Sequence, residues 1–305
     1  MRLTNIFEQW GTVVEFDDPM DFFKEEKGFW RKLSYDRKLV IFKKMDFGPV
    51  NYARFSYHIG APWTREDYKY SHEYVQDVRD QATGKNYTIT KFSNLTTATS
   101  GPRVISLKEM PWHADIPNRP IKPFPWRSLW MGNNPNTETS GKTQWLNIED
   151  CLDRLSPRLK DLIPRVTIKQ QSWYDGGLSD VGMHDFIKVH PVTGKKSLRL
   201  NYYVGYPDAR KSDNAWIRNV YIDGVEQPDN RLIQEYIDEI LAMPDMFYRH
   251  TWDQWDISLY DNYSFVHGRT ALELELPAGA VLERTLYRLN IDHVSDDQWP
   301  THELR

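Results

Sequence analysis

The chain has 305 residues, 40% of them hydrophobic and 14% aromatic, enough apolar material for a large core and too much for a disordered chain. Its 39 Lys and Arg against 43 Asp and Glu give a net charge of −4, so no global field draws it to nucleic acid or to an acidic membrane, and a small-molecule substrate is expected. Cys151 is the only cysteine, which excludes an internal disulfide and a cysteine-based zinc cluster and fits a reducing cytoplasm.

The opening MRLTNIFEQW lacks a charged-then-apolar leader pattern. No run approaches the roughly 18 to 20 apolar residues of a membrane span, so a soluble, cytoplasmic protein is expected. No linker, repeat or low-complexity segment divides residues 1–305, which read as a single domain. Residues 12–16 (TVVEF) and 38–43 (KLVIFK) read as short strands, with a helix from about Met20 to Ser34 between them. Lys24, Lys27, Arg31 and Lys32 alternate there with Asp21, Glu25 and Glu26, the mark of a solvated face rather than a binding patch. Val50, Ala53, Phe55 and Ile59 predict a core-packed helix over about 49–59, ended by Gly60 and Pro62. The polar, Tyr-rich stretch 65–91 reads as either a lid or a surface excursion.

Further on, strands are predicted at 128–132, 143–147, 197–205, 256–262 and 270–276; Leu198, Leu200 and Tyr202 against Arg199, Asn201 and Tyr203 show the period of two of a half-buried sheet. Two helical insertions are predicted, Asn147 to Ile163 and Asp229 to Met243, the second carrying Leu232, Ile233, Tyr236, Ile237, Ile240 and Leu241 on one stripe. The fold class is therefore mainly β with flanking helices: an antiparallel jelly roll, the cupin-like double-stranded β-helix, with helical insertions.

Trp112-His113-Ala114-Asp115 sets an imidazole and a carboxylate two residues apart, on one side of an extended strand, where both can reach one metal. A third ligand must come from far along the chain, and His267, after the strand-like DISLYDN, is the best candidate. Two histidines and one carboxylate on one face of an octahedral ion suit iron(II) oxygenases, because three positions stay open. A His-x-Asp pair alone is a weak signal; its company decides.

In that company the sequence resembles the taurine dioxygenase (TauD/TfdA) family, which includes 2,4-dichlorophenoxyacetate dioxygenase. The likeness runs in order through LVIFKK at 39–44 with YARFSYHIGAP at 52–62, WHAD at 112–115, SGKTQWLN at 140–147, HPVTGKKSLRLN at 190–201 and HTWDQWDISLYDNYSFVHGRT at 250–270, and ends with Arg284 and Arg288. It departs where Ser140 replaces the first glycine of a Gly-Gly pair and Trp255 stands where a glycine is usual. The resemblance implies that His113, Asp115 and His267 ligate Fe(II). It implies that Arg284 and Thr143 hold the distal carboxylate of 2-oxoglutarate, a task suited to a guanidinium fork. Arg288, with Ser93 and Asn94, falls where the family contacts its substrate, which would then carry an anionic group. Each assignment has a plainer alternative: a surface ion pair of Arg284 or Arg288 with Glu283 or Asp292, or a polar loop for Ser93 and Asn94. Arg269 either braces the site or forms a structural salt bridge, and His190 serves a turn beside Pro191 and Gly194.

The expected reaction consumes O2 and 2-oxoglutarate, releases succinate and CO2, and hydroxylates a C–H bond of a small, anionic or amino-acid-like compound, with desaturation or cleavage as variants. Asp115 fills the position a halide takes in related halogenases, which disfavours chlorination. A nucleic-acid or protein demethylase would want a basic groove; a jelly-roll binding protein would not need all three ligands together with Arg284. The family is often oligomeric, but no stretch of this sequence identifies an interface.

Overall fold

Alternating apolar residues in the computed structural model form strands that pass repeatedly between two facing sheets. The structure describes residues 1–70, 75–93, 109–115, 125–134, 141–174, 177–200, 216–272 and 283–293. In chain order the first strands are β1 (Arg2–Asn5), β2 (Thr12–Glu15), β3 (Leu39–Phe42), β4 (Ala61–Pro62), β5 (Val75–Arg79), β6 (Asn86–Ser93) and β7 (Met110–His113). They are followed by β8 (Trp126–Asn133), β9 (Thr143–Asn147), β10 (Val166–Tyr174), β11 (Gly177–Asp185), β12 (Ile187–Val189) and β13 (Lys196–Leu198). The last are β14 (Trp216–Ile222), β15 (Val225–Glu226), β16 (Phe247–His250), β17 (Ile257–Asp261), β18 (Phe265–Arg269) and β19 (Thr285–Asp292). The helices are α1 (Lys27–Arg37), α2 (Gly48–Ser56), α3 (Pro157–Leu162) and α4 (Arg231–Leu241).

The large sheet runs β1-β2-β3-β17-β8-β19-β6-β5, with β4 beside β19; the small one runs β16-β9-β18-β7. Successive strands β7, β8 and β9, and again β16, β17, β18 and β19, alternate between the two, which is the winding of a jelly roll. Only β2 and β3 pair in parallel; every other pairing among the described residues is antiparallel.

The period of two assigns each face. On β8, Trp126 and Trp130 join a core under α1 and α2, while Leu129 and Met131 point between the sheets toward Trp145, Tyr260 and Phe265. Behind the small sheet, α4 buries Leu232, Ile233, Tyr236, Ile237 and Ile240 against α3 and β10, each worth roughly 1.5–3 kcal/mol relative to exposure. This is the stripe expected from the sequence except at Leu241, the last residue of the helix, which is exposed.

Several elements differ from expectation. The helix expected from Met20 to Ser34 is two pieces: a 3-10 turn at Pro19–Lys24, whose first turn is capped by the Asp18 side chain, and α1. The break at extended Glu25 lets Phe22 fold back and stack on Trp30, with ring centroids 4.7 Å apart. The charges there do form a solvated face, with Lys24 paired to Asp21 and Lys32 to Asp36. The insertion at 147–163 is the short α3 between two 3-10 turns, because Pro157 and Pro164 each restart the chain. Within 65–91 lies the β5–β6 hairpin on an edge of the large sheet, with β6 hydrogen-bonded to β19. The strand expected at 197–205 is seen as β13, and residues 201–205 lie outside the described residues. At 270–276, Thr270 to Leu272 are not strand and the remainder lies outside. The long hairpin β10–β11 and its partner β14 were not anticipated; Lys, Gln and Ser interrupt their apolar alternation, and two bulges shift its phase.

Candidate active site

His113 ends β7, and the antiparallel register sets it directly opposite His267 in β18, with ring centroids 4.2 Å apart. Asp115 follows two residues on, and its Oδ2 lies 3.3 Å from Nε2 of His267. One donor atom from each of the three residues falls within 4.8 Å of the others, and all three side chains are buried. Adjacent ligand atoms of an octahedral ion with bonds of about 2.1 Å stand about 3 Å apart, a spacing that the Asp115–His267 pair already approaches. Gly268 makes the approach of β7 possible: a Cβ there would stand 2.8 Å from the Met110 carbonyl oxygen, beside a bulge between His267 and Arg269.

Each ligand is held from behind. The Pro111 carbonyl lies 2.8 Å from Nδ1 of His113 and can only accept, so Nδ1 carries the proton and Nε2 is left with a lone pair for a metal. Asn262, in the β17–β18 turn, accepts from the Asp115 backbone N–H at 2.9 Å and donates to the Asp115 carbonyl at 2.8 Å. Asp261 steadies the same turn by accepting from the Tyr263 N–H and the Ser264 hydroxyl, and it pairs with His190 at 3.3 Å. His190 also accepts from the backbone N–H groups of Val192 and Thr193, so it serves the bend.

Burial pushes the pKa of both histidines down, His267 far down with the neighbouring His113 adding to the effect, so both rings are neutral and able to ligate. Burial pulls the Asp115 carboxyl upward, but Arg127, followed by His267 and Arg288, more than offsets this and keeps it ionised. The Arg127 Nε lies 2.8 Å from Asp115 Oδ2, and the Tyr260 hydroxyl donates to the same oxygen at 3.2 Å. Neutral imidazoles and an ionised carboxylate make a donor set for a divalent ion.

Beside these residues is a cavity between the sheets. Thr143, His267 and Arg269 line it from the small sheet; Phe92, Arg127, Leu129, Tyr260, Leu286 and Arg288 line it from the large one, with Arg284 just before β19. Arg284, Leu286 and Arg288 are spaced by two and so share one face. Arg284 is buried and donates to the Gly141 carbonyl at 2.9 Å; burial, then the nearby Arg269, draw its pKa down to about 9. Gly141 has φ +67°, and a Cβ there would come within 2.5 Å of Leu272 and 3.4 Å of the Arg284 guanidinium carbon, so glycine is what lets this backbone meet the arginine. Thr143 accepts from the Trp252 indole at 2.9 Å, which leaves its hydroxyl hydrogen to donate into the cavity. Two buried guanidiniums and a hydroxyl can hold a carboxylate.

The structure thus gathers His113, Asp115, His267, Thr143, Arg284 and Arg288 around one space. Arg288 turns inward, with Nη1 3.8 Å from Asp115 Oδ1 and its guanidinium 4.4 Å from the Phe92 ring centre; the surface ion pairs considered for Arg284 and Arg288 are not what the described residues form. Arg269 faces the cavity too, and donates to the Thr270 carbonyl. Ser93 donates to Glu283 at the end of β6 and is not among the cavity-lining residues; its neighbour Phe92 points inward instead, because adjacent strand residues face opposite ways. Asn94 lies outside the described residues. Sequence reasoning missed Arg127 and Tyr260. The signal for Arg127 was its phase: it stands in line with Leu129 and Met131, so a strand begun at Trp126 puts a charge between the sheets.

Two histidines and a carboxylate, buried inside a jelly roll beside several arginines, form a group that could hold a metal ion next to side chains suited to an anion. The chain belongs to the Taurine catabolism dioxygenase TauD, TfdA family, whose sequence profile matches residues 2–289. It is 24% identical over 185 residues to a (S)-phenoxypropionate/alpha-ketoglutarate-dioxygenase of Sphingobium herbicidovorans, covering 54% of this chain and 58% of that protein. It is 26% identical over 176 residues to an alkylsulfatase of Acinetobacter baylyi, covering 51% and 50%. The chain therefore spans just over half of the first relative and half of the second. A taurine dioxygenase from Burkholderia xenovorans superposes with a TM-score of 0.61 over 97% of this chain and 93% of that one, at 17% identity, a likeness of fold alone.

Proposed function

We propose that this protein is an Fe(II)- and 2-oxoglutarate-dependent dioxygenase that hydroxylates a small organic anion, residues 1–305 forming one dioxygenase domain. The observation that carries this reading is the convergence of His113, Asp115 and His267 beside Arg284, from strands 154 positions apart (267 − 113). Iron bound there supplies activation of dioxygen, coupled to conversion of 2-oxoglutarate to succinate and CO2. The protein's own part is binding and exclusion of water. Arg284 grips the distal carboxylate as a two-pronged donor, Thr143 donates to it, and Arg269 adds positive charge. Phe92, Leu129 and Leu286 give the substrate apolar walls, and Arg288 meets its anionic group.

The relatives' names support an anion: one acts on phenoxypropionate and the other is an alkylsulfatase. Both kinds of compound carry a carbon bonded to a departing oxygen. Hydroxylation at such a carbon leaves two oxygens on it and collapses to a carbonyl with loss of the alcohol or sulfate, so cleavage is included in the proposal. No helix among the described residues is long and apolar enough to cross a membrane; a cytoplasmic location is part of the proposal, resting on the lone buried Cys151.

The test is succinate formation from 2-oxoglutarate with Fe(II) and ascorbate, run against a panel of aryloxy acids, alkyl sulfates, sulfonates and amino acids. Stimulation by at least one anionic compound, abolished in His113→Ala, is the expected result. Absence of any turnover, stimulated or not, in protein shown to bind a divalent metal would remove the oxygenase reading.

A further inference from the structure

Among the described residues that line the cavity are the guanidiniums of Arg127, Arg269, Arg284 and Arg288 and the carboxylate of Asp115. A divalent ion held by Asp115 would stand close to the Arg127 charge. Arg284 and Arg269 belong to the co-substrate end, and Arg288 to the substrate end, of the proposed site. Arg127 belongs to neither. It is 1% exposed, rooted in β8 between β17 and β19, and its Nε sits 2.8 Å from Asp115 Oδ2. That oxygen is also the one 3.3 Å from Nε2 of His267, the spacing of neighbouring ligands on one ion. A fixed cation and the metal would therefore share one carboxylate oxygen.

We propose that Arg127 is a positioning residue that sets how the metal is retained: its charge, spent on Asp115, weakens binding of a divalent ion alone and makes tight retention depend on a dianionic co-ligand such as 2-oxoglutarate. The inference rests on the proposed function, because it takes the triad as the metal site. Like charges at close range in a low-dielectric site repel strongly, and a dianion entering beside Arg284 and Arg269 offsets that repulsion. Linkage then requires the metal to raise 2-oxoglutarate affinity by the same factor by which 2-oxoglutarate raises metal affinity. Some coupling follows from direct chelation in any such site; the part assigned to Arg127 is what its removal takes away.

The experiment is titration of the whole protein with Mn(II), followed by electron paramagnetic resonance of the free ion, with and without saturating 2-oxoglutarate. Arg127→Gln keeps a donor near Asp115 but removes the charge. It is expected to bind Mn(II) alone roughly fivefold to tenfold more tightly than the unaltered protein, and to lose the same factor from the gain given by 2-oxoglutarate, within the ordinary range of coupling. A residue that merely props the carboxylate predicts the opposite sign: weaker Mn(II) binding in Arg127→Gln overturns the proposal, as does an unchanged affinity. If that variant does not fold, Arg127→Lys decides. Charge retained without the fork should leave Mn(II) affinity and its coupling within about twofold, and a loss of tenfold or more assigns Arg127 to shape alone. Mn(II) binding that His113→Ala leaves untouched would instead remove the triad as the metal site, and with it the function reading, so the two failures are distinguishable.

Discussion

On the small sheet, His113, His267 and Thr143 bring donor atoms to the cavity; on the large sheet facing it, Arg127, Tyr260 and Arg288 bring charge and a phenol. The first set sits in short sequence patterns, WHAD, SGKTQWLN and FVHGR, whose spacing is dictated by what a metal and a carboxylate need. The second set is spread singly over β8, β17 and β19. A metal fixes its ligands to within a few tenths of an ångström, whereas a field of positive charge is satisfied by many placements. One side of the cavity is therefore expected to fail all at once when altered, and the other by degrees.

The largest effect tests the small sheet. His113→Ala removes a ligand and leaves two, and should lower both Mn(II) affinity and turnover by more than about a hundredfold, beyond the 10- to 100-fold typical of losing a supporting partner. Metal content after dialysis and succinate release are the readouts; a variant that keeps its metal would show that the triad is not the binding site. Next comes Arg284→Ala, which should raise the 2-oxoglutarate requirement by roughly 10- to 100-fold, the worth of a charge-assisted pair, with a smaller change in maximal rate. An unchanged requirement would move the co-substrate away from Arg284.

How much of this was legible in the sequence follows the same division. The candidate ligands could be named because a His-x-Asp pair on an extended strand puts both side chains on one side, and the antiparallel register of β7 and β18 sets His267 against His113. The jelly roll was legible from alternation in β3, β8, β9 and β17, and α4 from its apolar stripe. Arg127 was not, because the strand predicted at 128–132 left it outside, although it keeps the inward phase of Leu129 and Met131 in β8. Ser93 was placed in the substrate wall by likeness of position; the pleat instead turns Phe92 inward and leaves Ser93 on Glu283. Tyr260 was hidden in plain view, a residue read only as part of a strand until its hydroxyl met Asp115 and His267.

Asn262 joins the two sides, since it lies in the turn from β17 of the large sheet to β18 of the small one and holds both backbone groups of Asp115. Asn262→Ala should weaken Mn(II) binding by about tenfold without removing a ligand, and should cost roughly 1–3 kcal/mol of stability for the buried groups left unmatched. A stability loss with unaltered Mn(II) affinity would confine Asn262 to the turn.

The smallest effect concerns protons. His113 and His267 in the proposed metal site, and His250 beside Asp256 at the far end of β16, all have pKa values pushed below the ordinary histidine value by burial. In the unfolded chain each titrates near 6.5, so below that pH the unfolded state binds more protons and stability falls as pH falls. The contribution is fully present above about pH 6.5 and is lost on the way down toward the folded-state values. Between pH 7 and 5.5 the loss is at most about 1.3 kcal/mol for each ring, and the buried aspartates, whose carboxyls are held low, do not titrate in that window. Urea unfolding of the metal-free protein across this range should therefore show a slope that His113→Phe makes shallower, by up to one proton toward the acid end. Saturating Mn(II) should raise stability while leaving that slope nearly unchanged, because the ion binds only the folded state, whose buried rings carry no proton for it to displace. A slope that ignored the substitution and steepened with the ion would mean that the two rings of the small sheet take up protons as freely when folded as when unfolded, which their burial forbids.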